Sequence, residues 1–260
     1  GVLHVADVTF VSPTFDGGSS HVISAVEDVG DIDGDGYGDV AIIFYGDGPD
    51  DPLTGVYLYF GRSAGDAEYS VYEDADVAMP AYWAAVAQNV GDINGDSIDD
   101  LVLSGPESEQ SEDLSDVYIY FGSSSPWPAQ LGLSDADVHI APQQYLPHLQ
   151  VYGNHRQQRG DLDGDGITDL LLTDYNADWN GTVSVGFVAV FCGRTSWPAE
   201  MTSEDADAPF VGSVYNQWMG SGSRTLVGDA NGDGYDDLVT ASTYHLLGTE
   251  AGDTFTFLGQ

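Results

Sequence analysis

The feature that most constrains the fold of this chain is an aspartate-rich segment that occurs four times. Each copy has Asp at its first, fifth and ninth positions, Asp or Asn at the third, and Gly at the fourth. The copies begin at Asp31, Asp92, Asp161 and Asp229, at intervals of 61, 69 and 68 residues. A segment that recurs at a nearly fixed period is typical of folds in which similar units stack on one another. The sequence therefore predicts an array of four such units.

Short apolar runs on both sides of each copy predict strands. The first run of a unit precedes the loop, and the second follows the loop directly. The third run of each unit ends in Gly, as in VYLYFG (56–61), VYIYFG (117–122), VAVFCG (188–193) and TFTFLG (254–259). An acidic segment with a strand-like end comes next, namely EDADV (73–77), SDADV (134–138) and EDADA (204–208). Helical periodicity is almost absent, which favours an all-β fold. Four strands in each unit predict a β-propeller built from four-stranded antiparallel blades.

The order of the strands predicts how such a propeller would close. The run VADV at 5–8 matches an outer fourth strand, whereas the last run of the chain matches a third strand. We therefore expect one domain over 1–260, with four blades closed by pairing of the N-terminal strand with the C-terminal blade, which removes an exposed edge. The expected segments are 1–15 for the closing strand and 16–79, 80–141, 142–211 and 212–260 for the blades. A part of a longer propeller is the alternative.

The aspartate loops predict metal sites. Side-chain oxygens at positions 1, 3, 5 and 9 and the backbone carbonyl of position 7 are hard ligands that suit Ca²⁺ better than Mg²⁺. An EF-hand is excluded, because position 12 is not Glu and the flanking segments are strands. The predicted ligands are Asp31, Asp33, Asp35, Tyr37 and Asp39; Asp92, Asn94, Asp96, Ile98 and Asp100; Asp161, Asp163, Asp165, Ile167 and Asp169; and Asp229, Asn231, Asp233, Tyr235 and Asp237.

The alternative is that these loops are solvated Asp-Gly turns. Carboxylates about 4 Å apart repel by roughly 4 kcal/mol at an effective dielectric constant of about 20. Clusters of them in four turns would be costly without a cation, so we expect about four Ca²⁺ ions, one per blade. The second loop departs most from the pattern, because Ser97 replaces a turn glycine and Asn94 removes a charge. Sites of this kind function best where calcium is plentiful, so we expect the protein to be secreted or exposed at the cell surface.

The charge of the chain excludes several kinds of partner. It has 43 Asp and Glu against five Arg and no Lys, for a net charge of −38. Nucleic acids and anionic lipids need Lys and Arg for binding, so we expect neither as a partner. No apolar run is long enough to span a bilayer, and we expect no membrane insertion. Adaptation to a salty habitat would explain the acidity, but not the ordered Asp spacing.

The loops, the apolar strand after each and the Phe-Gly ending resemble the FG-GAP repeat of integrin α-subunit propellers. Ser104-Gly105-Pro106 lies where that family has Gly-Ala-Pro. The resemblance covers essentially the whole chain and implies a β-propeller with calcium in the hairpin between the first two strands of each blade. It also implies the loop aspartates and their counterparts as ligands, and a role in adhesion or recognition. The family usually has seven blades, so four blades would depart from its pattern.

We therefore expect a monomeric, calcium-stabilised extracellular module that recognises an unidentified protein or glycan. It is not expected to be an enzyme, because it contains no HExxH, P-loop or Gly-x-Ser-x-Gly motif. The alternatives are a lectin-like propeller using Trp127 and Trp197, a non-catalytic part of a polysaccharide-degrading enzyme, and a structural repeat. The two tryptophans could instead join one blade to the next. Arg156, Arg159 and Arg224 precede loops three and four, where they could bind an anion or pair with the acidic loops.

Cys192 is the single cysteine, so the chain has no internal disulfide. It stands where two other units have the Phe of Phe-Gly, which predicts a buried strand residue.

Overall fold

A computed structural model describes residues 8–11, 22–45, 53–62, 67–70, 73–80, 86–105, 116–142, 159–220, 226–242 and 254–259. Within these ranges the chain is all-β, as expected, with seventeen strands and no α-helix. Two single 3₁₀ turns, at Leu133–Asp135 and Ser203–Asp205, precede two of the outer strands. None of the described residues forms a helix with the length and hydrophobicity needed to cross a bilayer.

The first sheet has the four-stranded antiparallel order that the repeat predicts. Its strands, from one edge to the other, are β2 (Val22–Gly30), β3 (Asp39–Tyr45), β4 (Gly55–Tyr59) and β6 (Val77–Pro80). The strand β3 is apolar on both faces, so Ile43 packs towards the second sheet while Ile42 and Phe44 pack on the opposite side. A strand buried on both faces requires a neighbouring layer on each side.

The other sheets repeat this order. The second contains β7 (Val86–Gly91), β8 (Asp100–Gly105), β9 (Asp116–Tyr120) and β10 (Val138–Ala141). The third contains β11 (Leu170–Asp174), β12 (Phe187–Phe191) and β14 (Ala208–Val211), and the fourth β15 (Leu226–Gly228), β16 (Asp237–Ala241) and β17 (Thr254–Phe257). The first strand expected in the third unit lies outside the described residues.

Neighbouring sheets bury their faces against each other in chain order. Leu58 of the first sheet and Leu101 of the second share one core cluster, and Ile119 of the second and Phe191 of the third share another. Between the third and fourth sheets, Phe210 and Phe257 pack with ring centroids 4.0 Å apart. The sheets are therefore stacked blade-like units, each stabilised by burial against the next.

The described part of the N-terminal segment pairs with the first unit. Strand β1 (Val8–Val11) runs parallel to β5 (Ala67–Ser70), and within the described ranges β17 pairs with β16 alone. The expected pairing of 1–15 with the C-terminal blade stays a prediction, because of this segment the structure describes only residues 8–11. Phe10 packs edge-on against Tyr59 at 4.8 Å, and its burial in the first sheet favours the observed position.

The parallel pairing of β1 with β5 follows a rule that the other units share. Strand β13 (Glu200–Thr202), just before the outer strand of the third sheet, runs parallel to β10, the outer strand of the second. A parallel bridge joins Gln130 to Ala78 in the same way. In the second and third units, a segment thus lies along the outer strand of the unit before it, and in the first unit β5 lies along β1 in the same way. Closure into a ring, the number of blades and the blade boundaries stay predictions.

A histidine strengthens the contact between β10 and β13. The ring nitrogens of His139 lie 2.8 Å from Asp116 Oδ1 and 2.9 Å from Glu200 Oε2, and the ring stacks on Tyr118. Burial lowers the pKa of His139, but its hydrogen bonds with the two carboxylates raise that pKa above its usual value on balance. The second and third units are thereby joined by side chains as well as by backbone.

The Gly that ends each third strand is required by packing. A Cβ on Gly61 would overlap the carbonyl oxygen of Gly38, and Gly122, Gly193 and Gly259 face the equivalent carbonyl in their own units. We expect Gly61→Ala to destabilise the protein by about 1–3 kcal/mol, since backbone cannot move aside as a flexible side chain can.

The matched control is Gly38→Ala, because nothing lies within 4 Å of a Cβ at that position. Urea unfolding of both variants in calcium measures the difference. Equal stability of the two variants would contradict this account of the Phe-Gly ending.

Candidate metal centre

Each aspartate loop connects the first two strands of a sheet or leads directly into the second. Loops one, two and four end at Asp39, Asp100 and Asp237, the first residues of β3, β8 and β16. Loop three ends at Asp169, immediately before β11. Glycines with positive φ at position 4, such as Gly34 at +70°, allow the backbone to turn sharply enough for successive side chains to face inward.

The position 9 aspartates are the most buried carboxylates of the loops, with exposed fractions of 0–1%. One oxygen of each accepts the N–H of position 2, at 2.8 Å for Asp39, Asp100 and Asp169 and 2.9 Å for Asp237. The other accepts the N–H of the Gly after the third strand, at 2.7–3.0 Å. Each therefore ties the loop to two strands, a role that the sequence analysis did not predict.

The carboxylates at positions 1, 3 and 5 organise the loop backbone. In loop three, Asp161 accepts N–H groups from Gly164, Asp165 and Gly166 at 2.6–3.0 Å. Asp163 accepts from the N–H of position 5, and Asp165 from that of position 7. The same pattern recurs in loops two and four. The repeated Asp residues thus fix a turn whose side-chain oxygens converge.

The convergence is tightest where position 3 is Asp. In loop one, oxygens of Asp31, Asp33 and Asp39 lie within 4.8 Å of one another. In loop three, oxygens of Asp161, Asp163 and Asp165 converge in the same way, and Asp163 and Asp169 form a second group with Cys192 Sγ. Cys192 is half-buried, and burial raises its pKa to about 12, so it stays a thiol.

Loops two and four have Asn at position 3 and are arranged differently. Asn94 Nδ2 donates to Asp96 and Asp100, both at 3.3 Å, and Asn231 Nδ2 donates to Asp233 at 2.9 Å. The amide therefore provides hydrogen-bond donors to part of the acidic cluster. Among the described residues, no group of three carboxylates converges in these two loops.

The donor set fits a hard cation. Oδ1 of Asp31 is buried and has no hydrogen-bond partner, although Oδ2 of the same residue accepts from Gly36 at 2.9 Å. A buried carboxylate oxygen without a partner is costly unless a cation compensates it. The predicted ligand set of loop one contains this oxygen together with Asp33 and Asp39, and oxygen ligands of this kind suit Ca²⁺.

Burial also shifts the titration of these loops. Desolvation raises the pKa of Asp39 and of Asp169 to about 6 and that of Asp100 to about 7, and nearby loop carboxylates add to the effect. Desolvation also raises the pKa of Asp33. These carboxyl groups are ionised at neutral pH only against a cost, which a bound cation would remove.

Adjacent loops are bonded to each other. The N–H at position 8 of loops two, three and four donates to the position 1 carbonyl of the preceding loop, at 3.0–3.2 Å. In return, Asp31 N donates to Asp99 Oδ2 at 3.2 Å and Asp161 N to Asp236 Oδ2 at 3.0 Å. The position 7 side chain of one loop also covers the position 4 glycine of the loop before it, as Ile98 covers Gly34. The four loops therefore form one continuous chain of contacts.

Of the three arginines that precede loops three and four, one lies among the described residues. Arg159 pairs with Asp99 of loop two at 3.5 Å, which is the pairing with acidic loops that the sequence analysis offered as an alternative to anion binding. Arg156 and Arg224 lie outside the described residues. Two other arginines were missed: Arg62 and Arg194 pair with Asp76 and Asp207. Both arginines directly follow the Gly of the third strand, and this shared position could have predicted that they make equivalent contacts.

The two Trp-Pro tryptophans join adjacent units. Trp197 is partly buried in the core between the second and third sheets, and its Nε1 donates to Ile93 O of loop two at 3.0 Å. Trp127 packs edge-on against Phe60 of the first unit, with ring centroids 6.1 Å apart. These contacts support the joining role over sugar stacking.

If Trp197 joins two units, its loss should weaken folding. We expect Trp197→Ala to destabilise by about 3 kcal/mol and Trp197→Phe, which removes the hydrogen bond but keeps most of the packing, by about 1 kcal/mol. Trp179→Ala is the control, because Trp179 is 43% exposed. Chemical unfolding in calcium measures all three, and unchanged stability of the Ala variant at 197 would refute the joining role.

The raised pKa values predict a pH-dependent effect of calcium. The metal-free folded protein holds protons on Asp39, Asp100 and Asp169 more tightly than the unfolded chain, so this stabilising contribution is complete below pH about 4 and is lost as pH rises through 6 to 7. Calcium needs the ionised forms. The calcium-induced rise in Tm should therefore be small at pH 5 and large at pH 8.

Scanning calorimetry at pH 5, 6, 7 and 8, with and without calcium, tests this expectation. The difference at each pH cancels the contribution of His139, which is present in both samples. A rise in Tm that is the same at every pH would contradict it.

Comparison with known proteins identifies the repeat. The family model described as FG-GAP repeat matches residues 221–255, which contain loop four. Integrin α-IIb of Homo sapiens is 31% identical over 161 residues, or 59% of this chain and 14% of that protein. Integrin α-5 of Xenopus laevis is 24% identical over 189 residues, or 66% of this chain and 16% of that protein.

Integrin α-M of Mus musculus is 28% identical over 113 residues, or 43% of this chain and 9% of that protein. The chain thus spans less than a fifth of the length of these relatives. The loops and the Gly endings described above recur in all four units, and the matches agree with them. Residues 221–255 are thus similar to the FG-GAP repeat, and more than half of the chain is similar to part of integrin α subunits, a likeness that implies a β-propeller for the stacked sheets.

Proposed function

We propose that this chain is a calcium-binding propeller module for recognition or adhesion outside the cell, with one ion in each aspartate loop. The observation that carries the proposal is the convergence of carboxylate oxygens of Asp31, Asp33 and Asp39, together with a buried oxygen of Asp31 that has no hydrogen-bond partner. The integrin α-like relatives support the recognition role, since the family resemblance implies adhesion. The unidentified partner in this proposal is an extracellular protein or glycan, and the module has no catalytic role.

The residues assigned to the ion are those at positions 1, 3, 5, 7 and 9 of each loop. Calcium bound there would neutralise the carboxylates that desolvation and mutual repulsion otherwise destabilise. If free calcium is about tenfold above each Kd, each site adds about 1.4 kcal/mol and four sites add about 6 kcal/mol. That sum is comparable to the whole stability of an ordinary domain. Calcium in this proposal therefore maintains the fold that presents the recognition surface.

Calcium removal tests the proposal. Thermal unfolding after chelation should show a large drop in Tm that added calcium reverses, and titration calorimetry should count about four ions. Asp33→Asn and Asp163→Asn should each weaken one site, because they remove a carboxylate from loops one and three. Glu204→Gln is the matched control, since this exposed acid lies outside the loops.

No calcium-dependent shift in Tm would overturn the proposal and leave the loops as hydrogen-bonded turns. A shift with magnesium equal to that with calcium would overturn the assignment of the ion.

A further inference from the structure

Two of the units hold an arginine in the same place, and a third unit lacks it. The residue after the Gly of the third strand is Arg62 in the first unit and Arg194 in the third. In the second unit it is Ser123. The three units belong to one chain and have the same strand order. The contacts of the two arginines therefore indicate which contacts a guanidinium group would make in the second unit.

The two arginines make equivalent contacts. Arg62 Nε donates to Phe60 O at 3.3 Å, and its Nη2 donates to Asp76 at 2.6 and 2.8 Å. Arg194 Nε donates to Cys192 O at 2.8 Å, and its Nη2 donates to Asp207. The Arg194 guanidinium also lies 5.1 Å from the ring centroid of Trp197. A backbone carbonyl, a carboxylate and, in the third unit, an indole thus surround the guanidinium.

The same acceptors are present in the second unit without the arginine. Asp137 Oδ2 accepts from Phe121 N at 2.8 Å, as Asp76 Oδ2 accepts from Phe60 N at 2.8 Å. Asp207 Oδ2 accepts from Cys192 N at 2.9 Å. No Arg or His of the described residues pairs with Asp137. The side chain of Ser123 is occupied locally, because its Oγ accepts from Ser125 N at 3.1 Å.

A pocket of about 230 Å³ is lined by Ser123 and Asp137, the counterparts of the arginine and of its carboxylate partner in the other units. Its lining includes Tyr120, Phe121, Ser123, Trp127, Asp135 and Asp137. The lining therefore combines aromatic surface with two carboxylates, and Trp127 is the counterpart of the indole under Arg194.

We propose that this pocket binds the guanidinium group of an arginine side chain on a partner protein. A planar guanidinium can donate to a carboxylate and a carbonyl together while it stacks on an aromatic ring, which a lysine ammonium does less well. The net charge of −38 attracts a cationic partner from a distance. This inference rests on the proposed recognition role and adds a binding site and the chemistry of its ligand.

A small arginine analogue tests the pocket directly. ¹H–¹⁵N NMR titration of the calcium-saturated protein with Nα-acetyl-arginine N-methylamide should shift the Ser123 amide and Trp127 indole signals with millimolar affinity. The lysine analogue should bind several-fold more weakly, and the uncharged citrulline analogue should not bind. Equal affinity for the arginine and lysine analogues would overturn the guanidinium assignment and leave only attraction of positive charge.

Two variants separate the pocket from general electrostatic attraction. Ser123→Arg should fill the pocket with the chain's own guanidinium and abolish binding, whereas Ser213→Arg adds the same charge at an exposed site elsewhere and should leave it nearly unchanged. Asp137→Asn should weaken binding about tenfold, with Glu204→Gln as its control. Undiminished binding by Ser123→Arg would overturn the proposal even if Asp137→Asn failed to fold.

The same samples distinguish this inference from the proposed function. Calcium-dependent melting of Ser123→Arg and Asp137→Asn should match that of the unaltered chain, because neither residue is a predicted ligand. If calcium stabilises the protein but the arginine analogue shifts no pocket signal, the arginine site is wrong and the calcium-dependent module stands. If the analogue binds but calcium does not change Tm, the arginine site stands and the calcium-dependent module is wrong.

Discussion

The buried aspartate at position 9 is the group on which each unit of this protein depends. Its two oxygens accept N–H groups from the start of its loop and from the end of the third strand, so in the first unit one carboxylate joins Ile32 to Gly61, 29 residues further along the chain. A carboxylate in that position is desolvated, and it lies beside others. A bound cation would offset the resulting electrostatic cost, and the hydrogen bonds that position the buried carboxylate also fix the shape of the loop.

The contacts between loops make this local requirement a property of the whole array. Loop two donates to loop one through Asp99, and the equivalent bonds connect loops three and four in turn. An ion bound in one loop would therefore also order one side of the next. The Asn at position 3 of loops two and four places an amide among the carboxylates, so those loops contain less uncompensated charge than loops one and three.

The sequence predicted what depends on local pattern. The spacing of Asp and Gly located the loops, and the apolar runs located most strands, because both follow from chemistry within a few residues. The pairing of β1 with β5 could not be predicted, since it depends on which edge lies nearest in space. The ion pairs of Arg62 and Arg194 depend on neighbouring strands for the same reason. His139 contacts Asp116 and Glu200, which are distant in sequence, and no sequence motif predicts these contacts.

The strand β13 has a mechanical consequence. It belongs to the third unit but runs along the outer strand of the second, where His139 and Glu200 reinforce it. Tension that draws these two units apart along the strand direction would load several parallel hydrogen bonds in shear at once, and they could not open one after another as in a zipper. Two units joined in this way would resist separation by force, which is a useful property in any protein that holds two surfaces together.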